Sequence, residues 1–503
     1  MDGRGDLTRP LVAICAVGFA LGYARIYFGL DFGDDSFAVG VPYAFTRGAR
    51  PFVDELLVQQ TGSLELTPLV WLYAAVVGSA DGIVLFVRHL YIGLVLLAGW
   101  ATYIGLRDVV GRKRALITAL AATVILPTAK PIVNYKTLGT FLLTVALFAG
   151  VSGRRAASGL ALAAAVFAYP PLFVPALVFA ALLLRDSRSP RGRIAFLTAG
   201  TVGALAALVV LLAFGPGNVE SSVRYTRDAG ATGGIDKLGQ VASGAVTGIR
   251  DVVDAVPHIT AFPFTSYFVT YTALAGALLF RSGRLEPPAR RLLVLVWTPS
   301  LVAGLATAYS STNAFLDATI GLIPAFLVTI ALARSVWVPA AAVVLLLVFQ
   351  WGFVYRDKPV GDLSCRVQSG PYRGIFTTPE RCAFVRQLEA DLKRHRSGRR
   401  SVLFYPGFPA GALLSDLRPV GPATWMDPIG SHPGLDRSVY TSHLAKPENR
   451  PDLVFEMRSV PGGSFADVGG EAPDVRALLE RLRYREVAAR ERYRVLVAPG
   501  PRP

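Results

Sequence analysis

Two adjacent carboxylates, Asp34 and Asp35, stand just after the first long apolar run, in Gly29-Leu30-Asp31-Phe32-Gly33-Asp34-Asp35-Ser36-Phe37. A second acidic stretch, Gly48-Ala49-Arg50-Pro51-Phe52-Val53-Asp54-Glu55, follows shortly after. Charge next to hydrocarbon is expensive, and a span that only anchors has no use for two aspartates at its exit, so the pattern marks a functional site. A carboxylate placed there can take a proton from a substrate hydroxyl. Neighbouring residues on a helix point about 100° apart, so Asp34 and Asp35 cannot both face one pocket.

The elements that position these residues are set by composition. The chain has 503 residues, 52% hydrophobic and 17% charged, with a mean hydropathy of +0.46, which places it in the membrane class. Apolar runs recur from Leu11 to Val354, and about 20 residues cross a bilayer core. About eleven spans are expected, near 11–28, 84–106, 115–129, 137–152, 156–169, 171–184, 194–214, 263–280, 292–309, 317–333 and 336–354.

The net charge of +16 is unevenly spread. Loops placed in the cytoplasm hold about seventeen Lys and Arg in about forty residues, and the opposite loops, roughly three times longer, hold about eight. This is the positive-inside bias, and it sets the amino terminus inside. It makes 156–184 two short spans turning at Tyr169-Pro170-Pro171, and it keeps Leu66 to Ser79, with Trp71 and Tyr73, as a helix at the outer interface. The basicity reports orientation and not nucleic-acid binding. A reporter fused after Arg191 or Arg334 is expected to read cytoplasmic, and one after Gly361 exported; a cytoplasmic signal at Gly361 would overturn this topology.

Residues 1–354 therefore form a polytopic α-helical membrane domain, and 355–503, with a water-soluble composition, a small extracytoplasmic α/β domain. Cys365 and Cys382 both fall in the exported part, where oxidation is permitted, and a disulfide between them is expected; the alternative is two free thiols. Thr378-Pro379-Glu380 opens a helix with an apolar stripe at Phe384, Val385, Leu388 and Leu392. Ser401 to Tyr405 reads as a buried strand, Pro473 to Leu482 as a helix, Tyr484 to Val487 with Tyr493 to Ala498 as a terminal strand pair, and Pro406 to Gly434 as a loop. The chain has no nucleophile elbow, phosphate loop, HExxH or CxxC, and its five histidines are scattered.

The stretch from Leu30 to Tyr73 resembles the first extracytoplasmic loop of the GT-C superfamily of polytopic glycosyltransferases, which includes the protein O-mannosyltransferases and the lipid A aminoarabinose transferases. Asp34-Asp35 matches the family's Asp-Glu pair, Gly48 to Asp54 its Gly-x-x-Pro-Tyr-x-Asp, and Thr67-Pro68-Leu69 its Pro-Leu helix. Two departures stand out: Asp35 replaces Glu, and Lys130-Pro131-Ile132-Val133-Asn134-Tyr135-Lys136 replaces the common Arg-x-x-Asp after the third span.

The resemblance implies transfer of a sugar from a polyprenyl-phosphate donor, with inversion, to a cell-envelope glycan or glycolipid acceptor in a bacterial plasma membrane. The departing lipid phosphate is a good leaving group, so the reaction needs a base and a countercharge for the phosphate. Asp34, aligned with the family's Asp, is the expected base; the alternative is a helix-start carboxylate near backbone donors. Asp35 either orients the acceptor, binds a metal or is merely solvated, and Asp54 either binds substrate or caps the next helix. Candidate phosphate ligands are Arg25, Arg88, Lys130, Lys136, Arg224 and Arg227, with snorkelling the alternative for Arg25 and Arg88. Asn134, Tyr135 and Asn313 are candidates to line the sugar pocket. No metal site is indicated, although carboxylates leave a divalent cation open. A polysaccharide polymerase or ligase is the second reading, and a transporter the non-enzyme one.

Overall fold

The computed structural model describes residues 8–126, 130–229, 239, 243, 261–281, 285–311, 317–333, 335–354, 357–424, 438–462 and 473–499. In chain order its helices are α1 (Thr8–Ala24), α2 (Asp34–Thr46), α3 (Gln60–Val77), α4 (Ile83–Val110), α5 (Arg112–Val124), α6 (Tyr135–Val151), α7 (Arg155–Ala168), α8 (Phe173–Asp186), α9 (Pro190–Ala213), α10 (Pro216–Ala229) and α11 (Ala261–Arg281). There follow α12 (Pro287–Ser310), α13 (Ala318–Leu332), α14 (Trp337–Gly352), α15 (Pro379–His395), α16 (Ala410–Leu414), α17 (Ser438–Ala445) and α18 (Pro473–Arg481). The strands are β1 (Cys365–Arg366), β2 (Phe376–Thr377), β3 (Ser401–Tyr405), β4 (Arg418–Pro419), β5 (Leu453–Met457), β6 (Arg485–Ala489) and β7 (Tyr493–Val497).

The chain divides into two compact units. The first comprises Met1–Ile26, His89–Val210 and Thr232–Phe353; the second joins Tyr27–Arg88 and Leu211–Ala231 to Val354–Pro503. The loop that carries the acidic residues thus shares a unit with the carboxy-terminal segment.

The first unit is helical. Among the described residues, α4, α9 and α12 are long and apolar enough to cross a membrane by length and composition, and shorter apolar helices include α6, α7, α13 and α14. Small residues bring helices together: a Cβ on Gly321 of α13 would collide with the backbone of Ala303 and Gly304 on α12, where Ser300 Oγ also donates to the Gly321 carbonyl at 2.5 Å. Helix α9 buries only Phe196 and exposes Ile194, Leu197, Val202, Leu205, Val209 and Leu212. Such a surface suits lipid and is penalised by water.

The second unit contains a five-stranded sheet in the order β4-β3-β5-β7-β6. Strand β3 runs parallel to β4 and β5, whereas β7 is antiparallel to β5 and β6. Every residue of β3 and β5 is buried, as expected of strands covered on both faces. Leu403, Tyr405 and Val454 pack with Tyr440 and Leu444 of α17, with Val475, Leu478 and Leu479 of α18, and with Tyr225 of α10. The segment 406–434, expected as loop, contains α16 and β4, and residues 425–434 lie outside the described part. Helix α16 forms because it has a partner: Gly40 on α2 leaves room for it, a Cβ there lying 3.3 Å from the Pro409 carbonyl oxygen and 3.4 Å from Ala412.

Candidate active site

Helix α2 begins at Asp34, and Gly33 before it has no side chain with which to cap. Asp31 supplies the cap instead. Its Oδ1 accepts from the Gly33 N–H at 2.9 Å and its Oδ2 from the Asp35 N–H at 3.1 Å, satisfying donors that a helix start otherwise leaves open. Asp34 and Asp35 therefore occupy the first two helical positions and part company. Asp34 is partly exposed, whereas Asp35 is 4% exposed and its Oδ2 takes a 2.9 Å hydrogen bond from Arg88 Nη2.

Arg88, 1% exposed, also donates to the carbonyls of Gly29 at 2.7 Å and Phe28 at 3.3 Å. Gly29 presents its carbonyl from a backbone with φ of +90° that glycine tolerates best. This corrects two expectations. Arg88 does not snorkel, its guanidinium being buried against Asp35; and Asp35 is not a solvated interfacial carboxylate. The Oδ1 of Asp35 is buried without a hydrogen-bond partner.

Ser36 Oγ donates to the Asp31 carbonyl at 2.5 Å, so the Tyr372 hydroxyl, 2.6 Å from Ser36 Oγ, donates to it. Burial pushes the Tyr372 phenol well above its ordinary range, which keeps that donor protonated. Phe32 is ringed by Tyr372, Phe384 and Phe408, with centroids 5.3 to 6.2 Å away.

Asp54 does not cap α3, whose preceding residue is Gln59. It takes a two-pronged ion pair from Arg50 Nε and Nη2 at 3.0 and 2.7 Å, and Arg50 reaches on to Asn449 Oδ1 at 3.1 Å. Asp54 thus fixes its own loop. The neighbouring Glu55, 2% exposed, accepts from the N–H groups of Leu57 at 3.1 Å and Thr424 at 2.7 Å.

Burial nevertheless pushes the Glu55 carboxyl up to about 7 from an ordinary 4.5. Between those values the folded protein holds a proton that the unfolded chain has released, so this group's contribution to stability falls as pH rises through that window. The thermal midpoint is expected to fall as pH rises from 4.5 to about 7, and Glu55→Gln, neutral throughout, should flatten the fall. An unchanged slope in the variant would dismiss Glu55 as its source.

The other candidates belong mainly to the first unit. Arg25 is buried, its Nε donating to the Gln350 carbonyl at 2.7 Å, so it too does not snorkel. Lys130 is buried. Lys136 Nζ lies 2.6 Å from Asp317 Oδ2, which also accepts from the Ser311 hydroxyl, and 5.7 Å from the centre of the Tyr135 ring. Tyr135 packs beside Tyr169 at 5.5 Å. Asn134 is a helix cap: its side chain accepts from Thr137 N at 2.8 Å, and Thr137 Oγ1 accepts from Asn134 N at 2.9 Å. In the second unit Arg224 is exposed and pairs with Glu220 at 2.8 Å. Asn313 and the Arg227 side chain lie outside the described residues.

Sequence reasoning missed Asp317, Asp357, Tyr372 and Arg381. Asp317 alone left a signal, a carboxylate at the head of a strongly apolar run. Among the described residues no three His, Cys, Asp or Glu side chains group as a metal site needs.

The described helices and sheet can be set beside those of solved membrane proteins. The structure aligns with that of the arabinofuranosyltransferase AftD from Mycobacteria at a TM-score of 0.52 and 14% identity, over 98% of this chain. The chain spans 40% of the AftD chain, and at this identity the likeness is one of fold. Two crystal structures of ArnT from Cupriavidus metallidurans, one apo and one bound to undecaprenyl phosphate, align at TM-scores of 0.42 and 0.41 and 12% identity, over 98% of this chain and 99% and 98% of theirs. No protein-family model matches the chain, and no curated protein does.

Proposed function

We propose that this chain is a membrane glycosyltransferase that moves a sugar from a polyprenyl-phosphate donor to an envelope glycan or glycolipid on the extracytoplasmic side, inverting the anomeric centre. The observation that carries the reading is the division of labour between the two adjacent carboxylates: Asp35 is buried and spent on Arg88, while Asp34 on the same turn is partly exposed. The fold shared with an arabinofuranosyltransferase supports the class of reaction.

In the reaction Asp34 takes the proton from the acceptor hydroxyl as its oxygen attacks the anomeric carbon. The bond from that carbon to the phosphate oxygen breaks, and the lipid phosphate leaves with the electron pair. Contacts from a cation to the departing phosphate would be charge-assisted and strong.

The direct test is a transfer assay with purified protein and a panel of polyprenyl-phosphate sugars, paired with mass spectrometry of envelope glycans and lipids from a deletion strain. One missing sugar residue in the strain, matched by transfer of that sugar in vitro, is the expected result. An unchanged envelope together with no transfer from any donor would overturn the reading.

A further inference from the structure

The acidic loop is held by a distant part of its own unit. Leu30, four residues before Asp34, is gripped at both of its backbone polar groups: its N–H donates to Asp357 Oδ2 at 2.9 Å, and its carbonyl accepts from Arg381 Nη1. Asp357 and Arg381 also pair with each other at 3.6 Å, with side chains 1% and 2% exposed. Arg381 also donates from Nε to the Pro461 carbonyl at 3.1 Å and from Nη2 to the Gly462 carbonyl at 3.2 Å, and Asp357 Oδ2 accepts from Thr377 Oγ1 at 2.7 Å.

The same segment takes the preceding residues as well. The Gly29 N–H donates to the Phe376 carbonyl at 2.9 Å, and the rings of Phe28 and Phe376 stack at 5.3 Å. Phe376 and Thr377 form β2, whose partner β1 contains Cys365. Cys365 is disulfide-bonded to Cys382, next in sequence to Arg381. One bond therefore ties β1, the partner of the strand that holds Gly29, to the helix that holds Leu30.

A buried ion pair is a poor way to add stability, since apolar residues of similar size often do as well or better. What this pair does, and apolar residues cannot, is fix the N–H and the carbonyl of one residue in space. Misplacing a reacting group by about 1 Å can slow a reaction about 10²-fold.

We propose that Arg381 and Asp357 are positioning residues that act through Leu30 to set where the Asp34 carboxylate stands, and that the Cys365–Cys382 disulfide keeps them in register. The proposal rests on Asp34 as the base, and a double-mutant cycle separates the two claims. Arg381→Met and Asp357→Asn are expected to lower kcat roughly 10- to 100-fold with donor affinity within about twofold of wild type, and Arg381→Lys to recover part of the loss. In the Asp34→Asn background the same changes should alter the residual rate less than about twofold, because the group they position can no longer act.

Equal losses in both backgrounds, or a kcat untouched by either substitution, would overturn the proposal. Near-normal transfer by Asp34→Asn itself would instead overturn the base. Should Arg381→Met fail to fold, the Cys365→Ser, Cys382→Ser double variant takes its place, with the same kcat loss expected and the same dependence on Asp34.

Discussion

Asp34→Asn is expected to remain folded, to bind the lipid-linked donor with near-normal affinity and to transfer sugar roughly 10²- to 10⁴-fold more slowly. Asp34 is partly exposed at the first position of α2, where an isosteric amide disturbs little and asparagine is tolerated near a helix start. The amide cannot accept the acceptor's proton, so the loss should fall on turnover and leave binding alone. The check is donor affinity and transfer rate measured on the same preparations. Near-normal transfer would remove the base assignment, and turnover lost only in step with donor binding would make Asp34 a binding residue.

Arg88→Met should fail in a different way, by unfolding. It strands Asp35, 4% exposed, without its guanidinium, and breaking a buried pair from one side costs about 3–5 kcal/mol. That is a large part of the roughly 5–15 kcal/mol that separates folded from unfolded protein. Adding Asp35→Leu to Arg88→Met removes the orphaned charge, and the thermal midpoint should recover most of the loss, since an apolar pair often replaces a buried ion pair without penalty. Midpoints of wild type, single and double variants in one detergent decide the matter. A single variant as stable as wild type, or a double variant as unstable as the single, would show that the pair does not hold the loop.

What was legible in the sequence followed from periodicity and run length. The apolar runs fall on helices, with α3 running from Gln60 to Val77 where a helix over Leu66–Ser79 was anticipated, and β3, α15, α18 and the β6–β7 pair lie where alternation, capping and turn residues put them. The cap at Asn134 was legible too, in the spacing Asn134-x-x-Thr137, whose two side chains form a capping box.

The pairings of charges were not legible. Asp35 meets Arg88 from 53 residues away and Lys136 meets Asp317 from 181, and no local spacing encodes such a meeting. An arginine at the end of an apolar run looks the same to sequence reasoning whether it snorkels, binds phosphate or closes a buried pair. The Pro- and Gly-rich segment after β3 failed for a related reason: α16 exists because Gly40, far back in the chain, leaves space for it, a tertiary cause that local composition does not report.

The grip on Leu30 also sets an order in time. Leu30 and Arg381 are 351 residues apart, and at ribosomal rates of roughly 5–20 residues per second their emergence is separated by roughly 18–70 s. Throughout that interval the nascent chain carries its carboxylates without the groups that hold them, while helix after helix is being made. A chain stalled or cleaved before Asp357 keeps Asp34 without the groups that hold Leu30, so on the proposed function a truncated protein is expected to be inert.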